Sequence, residues 1–202
     1  QRNDLADAIL QKPAAIFINP VNWESISGSL HDAKRAGVPV ISVDTQVNDA
    51  DLVAAQVASD NYLAGKLAAE ALGKVRPNAK LAVIHLSIAK SCLDRVAGFK
   101  DAMKQFPGMT ILQTQEGKGA RDESLRVMKD ILGNTPDLDA VFAINDPSAL
   151  GCAAAIETTP GWSDRGVVIV TVDGSKDGKE AVKSGRLLAT VEQFPVEIGT
   201  VS

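Results

Sequence analysis

The chain has 202 residues, 45% of them hydrophobic and 23% charged, with a formal net charge of −4. That length can bury a core in one or two domains, and the apolar and charged fractions are ordinary for a globular protein. Scattered lysines and arginines exclude the basic stripe that nucleic acid or an anionic membrane requires, and no apolar run approaches the ~20 residues of a membrane span.

The first pattern is helical, with Leu5, Ile9 and Leu10 on one face, and Pro13 ends it. Ala14 to Ile18 reads as a strand closing on Asn19-Pro20, followed by a helix from about Trp23 to Ala36 that carries His31 and ends at Gly37. Val38 to Val43 is the next strand and closes on Asp44. After a polar loop, Ala54 to Ala58 runs into Ser59-Asp60-Asn61. The alanine- and leucine-rich stretch from Tyr62 to about Lys74 is a strong helix former.

Leu81 to Leu86 is a buried strand containing His85, and the helix after it carries Asp94, Arg95, Phe99 and Met103. Met109 to Gln115 forms a strand ahead of a loop with Gly117 and Gly119, and Glu123 to Leu132 is helical. Val141-Phe142-Ala143-Ile144 is a continuous apolar run of the kind found inside a parallel sheet. Asn145 and Asp146 end it, and Pro147 opens a helix with Ala149, Leu150 and Ala153 on its apolar face. Val167 to Val172 closes on Asp173-Gly174, a short helix lies around Lys179 to Ser184, and Leu188 to Glu192 leads to Gln193. The alternation predicts an α/β fold of parallel sheets with right-handed crossovers and helices on both faces.

Strand after strand ends on a polar side chain: Asn19, Asp44, Asn145, Asp173, Gln193. In open parallel sheets, ligands bind outside the carboxyl ends of the strands. Carboxylates accept hydrogen bonds and amides both donate and accept, which suits a ring of hydroxyls. Helix capping is the competing reading for Asn145 and Asp146, and both readings stand at this stage. Capping does not easily explain Gln193, which Phe194-Pro195 follows before a helix can start.

Other chemistries lack their marks. Gly-x-Ser-x-Gly, Gly-x-Gly-x-x-Gly and a phosphate-loop lysine motif do not occur. His31 and His85 read as structural. Asp44, Asp60 and Asp173 invite comparison with a Mg²⁺ cluster for phosphoryl transfer, but no phosphate loop accompanies them. Cys92 and Cys152 fit neither a disulfide framework nor a metal-ligand spacing; they read as small core residues and leave the redox compartment open. The chain starts at Gln1-Arg2 without a methionine and stops just after a helix begins. It reads as part of a longer protein, so the missing targeting signal says nothing about location.

The series Ile18-Asn19-Pro20, Val43-Asp44, Ala58-Ser59-Asp60-Asn61, Phe142 to Asp146 with Ala149-Leu150-Gly151, Val172-Asp173-Gly174 with Asp177-Gly178, and Ala189 to Gln193 with Pro195 and Ile198-Gly199 runs colinearly through essentially the whole chain. It resembles the ribose/galactose-type periplasmic sugar-binding proteins. The resemblance implies the type I periplasmic-binding-protein fold, two Rossmann-like doubly wound lobes joined by hinge strands, here incomplete at both ends. Residues 1–59 would be the remainder of the N-terminal lobe, 60–192 the C-terminal lobe, and 193–202 a hinge crossing and the start of the return. Against that pattern the first strand–helix–strand unit and the last part of the chain are missing.

By the same resemblance, Asn19 and Asp44 would hold sugar hydroxyls from the first lobe. Arg95, Asn145, Asp173 and Gln193 would do so from the second, and Ser59, Asp60 and Gln193 would mark the hinge. Thr45 stands where ribose binders carry an arginine, and Gly119 where they place an aromatic ring. The implied protein is not an enzyme and uses no cofactor or metal. It captures a small sugar or polyol in an interlobe cleft for the membrane subunits of an ABC-type permease, with a chemoreceptor as a further partner and no nucleic acid. It would be a monomer that carries a signal peptide at full length and works in the periplasm, or lipid-anchored outside a Gram-positive cell. The alternative on the same fold is the effector-sensing core of a LacI-type transcription regulator. The Asp173 to Gly178 and Lys183 to Leu187 stretches resemble the transport proteins more.

Overall fold

Every strand pair in the computed structural model, which describes residues 1–201, is parallel. The elements in chain order are α1 (Arg2–Leu10), β1 (Ile16–Ile18), α2 (Ser27–Arg35), β2 (Val40–Val43), a 3-10 turn (Ala50–Leu52), β3 (Ala55–Val57), α3 (Asn61–Val75), β4 (Lys80–His85) and α4 (Lys90–Met103). There follow β5 (Thr110–Glu116), α5 (Arg121–Asn134), β6 (Ala140–Ala143), α6 (Asp146–Thr158), β7 (Val168–Asp173), α7 (Lys176–Lys183), β8 (Ala189–Glu192) and α8 (Pro195–Val201).

The starts of α2 and α7 differ most from the sequence reading, each for a local reason. α2 begins at Ser27 and not near Trp23, because the Asn22 side chain accepts from the N–H groups of Glu24 and Ser25, both at 3.0 Å, and holds a turn there. α7 begins three residues early, at Lys176, because Ser175 Oγ accepts from Gly178 N at 3.0 Å and caps it. The 3-10 turn lies inside the polar loop of the sequence reading.

The chain folds into two units. The first comprises Gln1–Asp60, the short segment Ile88–Ser91 and the chain from Phe194 onward; the second comprises Asn61–Ser87 and Cys92–Gln193. Assignment of Ile88–Ser91 to the first unit has no counterpart in the sequence reading. Within that unit Trp23 N donates to Ile88 O at 3.1 Å, and the hydroxyls of Thr45 and Ser91 are 3.1 Å apart. Ser202 lies outside the described residues.

In the first unit the sheet order is β1-β2-β3. Leu5 and Ile9 of α1 and Leu30 and Ala33 of α2 pack with Ile18 and Val40 in one cluster. Leu10 does not join them and is 79% exposed. At 100° per residue it lies well round the helix from Leu5 and Ile9, so the expected three-residue face is a two-residue face.

In the second unit the order is β5-β4-β6-β7-β8. All four residues of β6 are buried, and alternate side chains serve opposite faces. Val141 and Ala143 join a core with Met128 and Ile131 of α5 and Ala149 and Cys152 of α6. On the other face Phe142 stacks on Phe99 of α4, with ring centroids 4.1 Å apart. This unit is doubly wound. The type I periplasmic-binding-protein architecture expected from the resemblance is the one observed. Cys92 and Cys152 are buried and outside any disulfide, and burial pushes the Cys152 thiol up to about 12.

Candidate functional site

In the second unit the sheet order sets the ends of β6, β7 and β8 side by side, and α4 brings Arg95 beneath them. Arg95 is 4% exposed. Its Nη1 donates to Ile144 O at 2.6 Å and lies 3.4 Å from Asp173 Oδ1, while Nε donates to Asn61 Oδ1 at 2.9 Å. Gln193 Nε2 donates to the same Asp173 oxygen at 2.8 Å, and Gln193 N donates to Asp173 O at 2.9 Å. The second carboxylate oxygen of Asp173 accepts from Asp146 N at 3.1 Å. Arg95, Asp173 and Gln193 are therefore one hydrogen-bonded cluster. Gln193 Oε1 is buried without a partner, an acceptor that a hydroxyl could satisfy.

Burial raises the pKa of Asp173; the charge of Arg95 and the hydrogen bonds from Asp146 N and Gln193 oppose the rise. Its backbone φ is +144°, outside the range that side chains favour.

Asn145 uses both ends of its amide. Oδ1 accepts from Ser148 N at 3.0 Å and caps α6, while Nδ2 donates to Gly119 O at 3.0 Å. The capping reading is thus realised for Asn145, with one amide N–H beyond these two bonds. Asp146 does something else. It is fully buried, and its carboxylate accepts from Ser175 N at 2.8 Å, Ser175 Oγ at 2.7 Å and Thr190 Oγ1 at 2.7 Å. It ties the turn after β7 to β8.

The first unit holds a smaller group. Asn19 Nδ2 donates to Asp44 Oδ2 at 2.9 Å. Asp44 has φ +67°, and Thr45 N donates across it to Val43 O at 2.7 Å, which makes a strained three-residue turn. Thr45 itself is buried, and its carbonyl accepts from Ser42 Oγ at 3.1 Å. Gly119, in the second unit, has φ +64°, where a side chain would be strained and its Cβ would lie 3.3 Å from Asn145 Nδ2.

Ser59 and Asp60 are the last residues of the first unit before α3, and Gln193 is the last of the second before α8. Among the described residues no group of three His, Cys, Asp or Glu is placed to hold a metal ion. His31 is exposed on α2, and His85 Nε2 lies 3.8 Å from Glu116 Oε2.

Asn61 and Asp146 were not singled out from sequence as site residues. A signal for Asn61 was present in Gly65 and Gly98, each inside a helix at a cost of about 1 kcal/mol relative to alanine. Such glycines mark close approach of another backbone.

A family model for the periplasmic binding protein domain matches residues 1–202. The chain belongs to this family. It is 34% identical over 198 residues to the ribose import binding protein of Salmonella typhimurium, covering 97% of this chain and 65% of that protein. A D-apiose import binding protein of Paraburkholderia graminis is 32% identical over 197 residues, covering 96% of this chain and 62% of that one. The chain therefore spans less than two thirds of the length of these relatives. Among solved structures, an ABC transporter solute-binding protein from Bacillus halodurans with bound myo-inositol superposes with a TM-score of 0.92 at 27% identity, covering 100% of this chain and 70% of that one. The periplasmic binding component of an arabinose ABC transporter from Shewanella, bound to L-arabinofuranose, gives a TM-score of 0.89 at 32% identity, with 99% and 68% covered.

Proposed function

We propose that the protein carrying this chain binds a small sugar or polyol, without turning it over, and delivers it to the membrane subunits of an ABC-type permease. The observation that carries this reading is the Arg95–Asp173–Gln193 cluster. It presents a guanidinium, a carboxylate and an amide already oriented by one another, and charge-assisted bonds to hydroxyls are the strong kind.

The proposed ligand contacts are Asn19 and Asp44 in the first unit and Arg95, Asn145, Asp173 and Gln193 in the second. Ser59, Asp60 and Gln193, where the chain passes between units, are the proposed hinge. The proposed lobes follow the sequence boundaries 1–59 and 60–192, with a return from residue 193. Relatives named for sugar import favour delivery over the effector sensing of a LacI-type regulator. The proposed location is the periplasm, or the outer face of a Gram-positive cell through a lipid anchor, with the protein monomeric and a chemoreceptor as a second partner.

The test is a thermal-shift screen with D-ribose, L-arabinose, D-allose, D-galactose and myo-inositol, together with sugar phosphates. A ligand at a hundredfold excess over Kd stabilises the folded state by about 2.7 kcal/mol. A shift with a neutral sugar, and no product formed, is expected. A response to phosphorylated sugars alone would overturn the transport reading.

A further inference from the structure

Two buried residues face each other where α3 and α4 cross. Asn61, 2% exposed, is the first residue of α3, and its Oδ1 accepts the Nε proton of Arg95 at 2.9 Å. The crossing is close enough for this because each helix contributes a glycine to it. A Cβ on Gly65 would lie 1.9 Å from the carbonyl oxygen of Arg95, and a Cβ on Gly98 would lie 1.9 Å from that of Tyr62. Asn61 and Gly65 are four residues apart and share a face of α3; Arg95 and Gly98 are three apart and share a face of α4. The glycine contact and the Asn61–Arg95 bond are thus parts of one interface.

A guanidinium is planar but turns about the end of a flexible chain, so one hydrogen bond leaves its plane undefined. Arg95 is anchored through two different nitrogens, by Asn61 at Nε and by the Ile144 carbonyl at Nη1, where the longer contact to Asp173 Oδ1 is also made. Together they set the plane, and Nη2 takes part in neither bond. We propose that Asn61 is a positioning residue for ligand binding, which fixes the Arg95 fork so that its Nη2 edge is presented to ligand oxygens. The inference rests on the sugar-binding reading above. Asn61 touches the ligand at no point in it and acts through Arg95 alone.

The test is calorimetric titration of the protein carrying this chain, using whichever of D-ribose, L-arabinose, D-allose, D-galactose and myo-inositol the wild type binds most tightly. Asn61→Leu keeps the size and removes the acceptor, whereas Asn61→Asp keeps an acceptor at a helix N-terminus that favours it. The expected result is a loss of at least thirtyfold in affinity for Asn61→Leu and recovery to within about fivefold of wild type for Asn61→Asp. Should Asn61→Leu not fold, Asn61→Ser, whose hydroxyl is too short to reach Nε, carries the same comparison. Binding by Asn61→Leu within threefold of wild type overturns the proposal, as do equal losses in the acceptor-bearing and acceptor-free variants. A wild type that binds none of the five probes overturns the sugar reading instead, so the two failures are separable.

Discussion

The backbone N–H of Asp146 donates to Oδ2 of Asp173 at 3.1 Å, while the Asp146 carboxylate holds the next turn through Ser175 and Thr190. One residue thus supports the acceptor at the end of β7 from both its main chain and its side chain. Replacing the buried Asp146 with alanine takes the acceptor from three partly buried donors, the N–H and hydroxyl of Ser175 and the hydroxyl of Thr190. The expected loss of stability is on the order of 3 kcal/mol. Urea unfolding of Asp146→Ala and Asp146→Asn checks this, with the asparagine variant expected to lose less.

Asp173→Asn separates stability from binding. Burial raises the Asp173 pKa above its unfolded value, so the folded state binds the proton more tightly. Stability associated with this group is therefore full below the unfolded pKa and declines as pH rises through the raised one. The variant lacks that decline. Its thermal midpoint, relative to wild type, is expected to improve between pH 4 and pH 7, while sugar affinity falls at least a hundredfold. A midpoint difference that is flat with pH would remove Asp173 as its source.

Two helix glycines are expected to respond with opposite signs. Gly133→Ala in α5 meets nothing within 4 Å and is expected to stabilise by about 0.5–1 kcal/mol through helix propensity. Gly65→Ala drives a methyl into the Arg95 carbonyl at 1.9 Å, against backbone that cannot swing away. A destabilisation of 2 kcal/mol or more is expected, on the order of other overpacking changes. Thermal unfolding of both variants decides it.

Asn145→Asp resolves the two uses of the amide. A carboxylate oxygen still accepts from Ser148 N, so the cap on α6 is retained; the donation to Gly119 O is lost. Stability within about 1 kcal/mol of wild type and a clear loss of sugar affinity are expected. Asn145→Ala loses the cap as well, about 1 kcal/mol more. If Asn145→Asp bound the sugar normally, Asn145 would be a cap alone.

The strands were legible because their physics is local. Residues 141–144 are an unbroken apolar run, and β6 is buried on both faces as such a run requires. Strand-end polar residues were legible for the same reason, since a change from apolar to polar is visible in a single stretch. What could not be read is what the sheet order brings together. Asp146 meets Thr190 only because β7 lies between β6 and β8, and no spacing in the sequence encodes that. Leu10 follows Ile9 in the sequence pattern but lies about 100° round the helix from it, so adjacency in the chain does not put it on the buried face. Asn61 stands in sequence only as the polar residue after Ser59-Asp60; that it bonds a buried guanidinium on the next helix is set by the packing of α3 on α4.

Parallel pairing throughout has a kinetic consequence. No strand can meet its partner through a hairpin, and even the nearest partners, Ile41 and Ala55, are joined across a loop with a 3-10 turn. In the second unit β4 waits for β6, with two helices and the edge strand β5 between them in the chain. Entropy is therefore lost in closing long loops before most of the sheet forms, and such topologies fold slowly. A newly made chain of this kind stays open for longer than a helical bundle of equal size, with its apolar β6 segment within reach of whatever recognises unfolded chains.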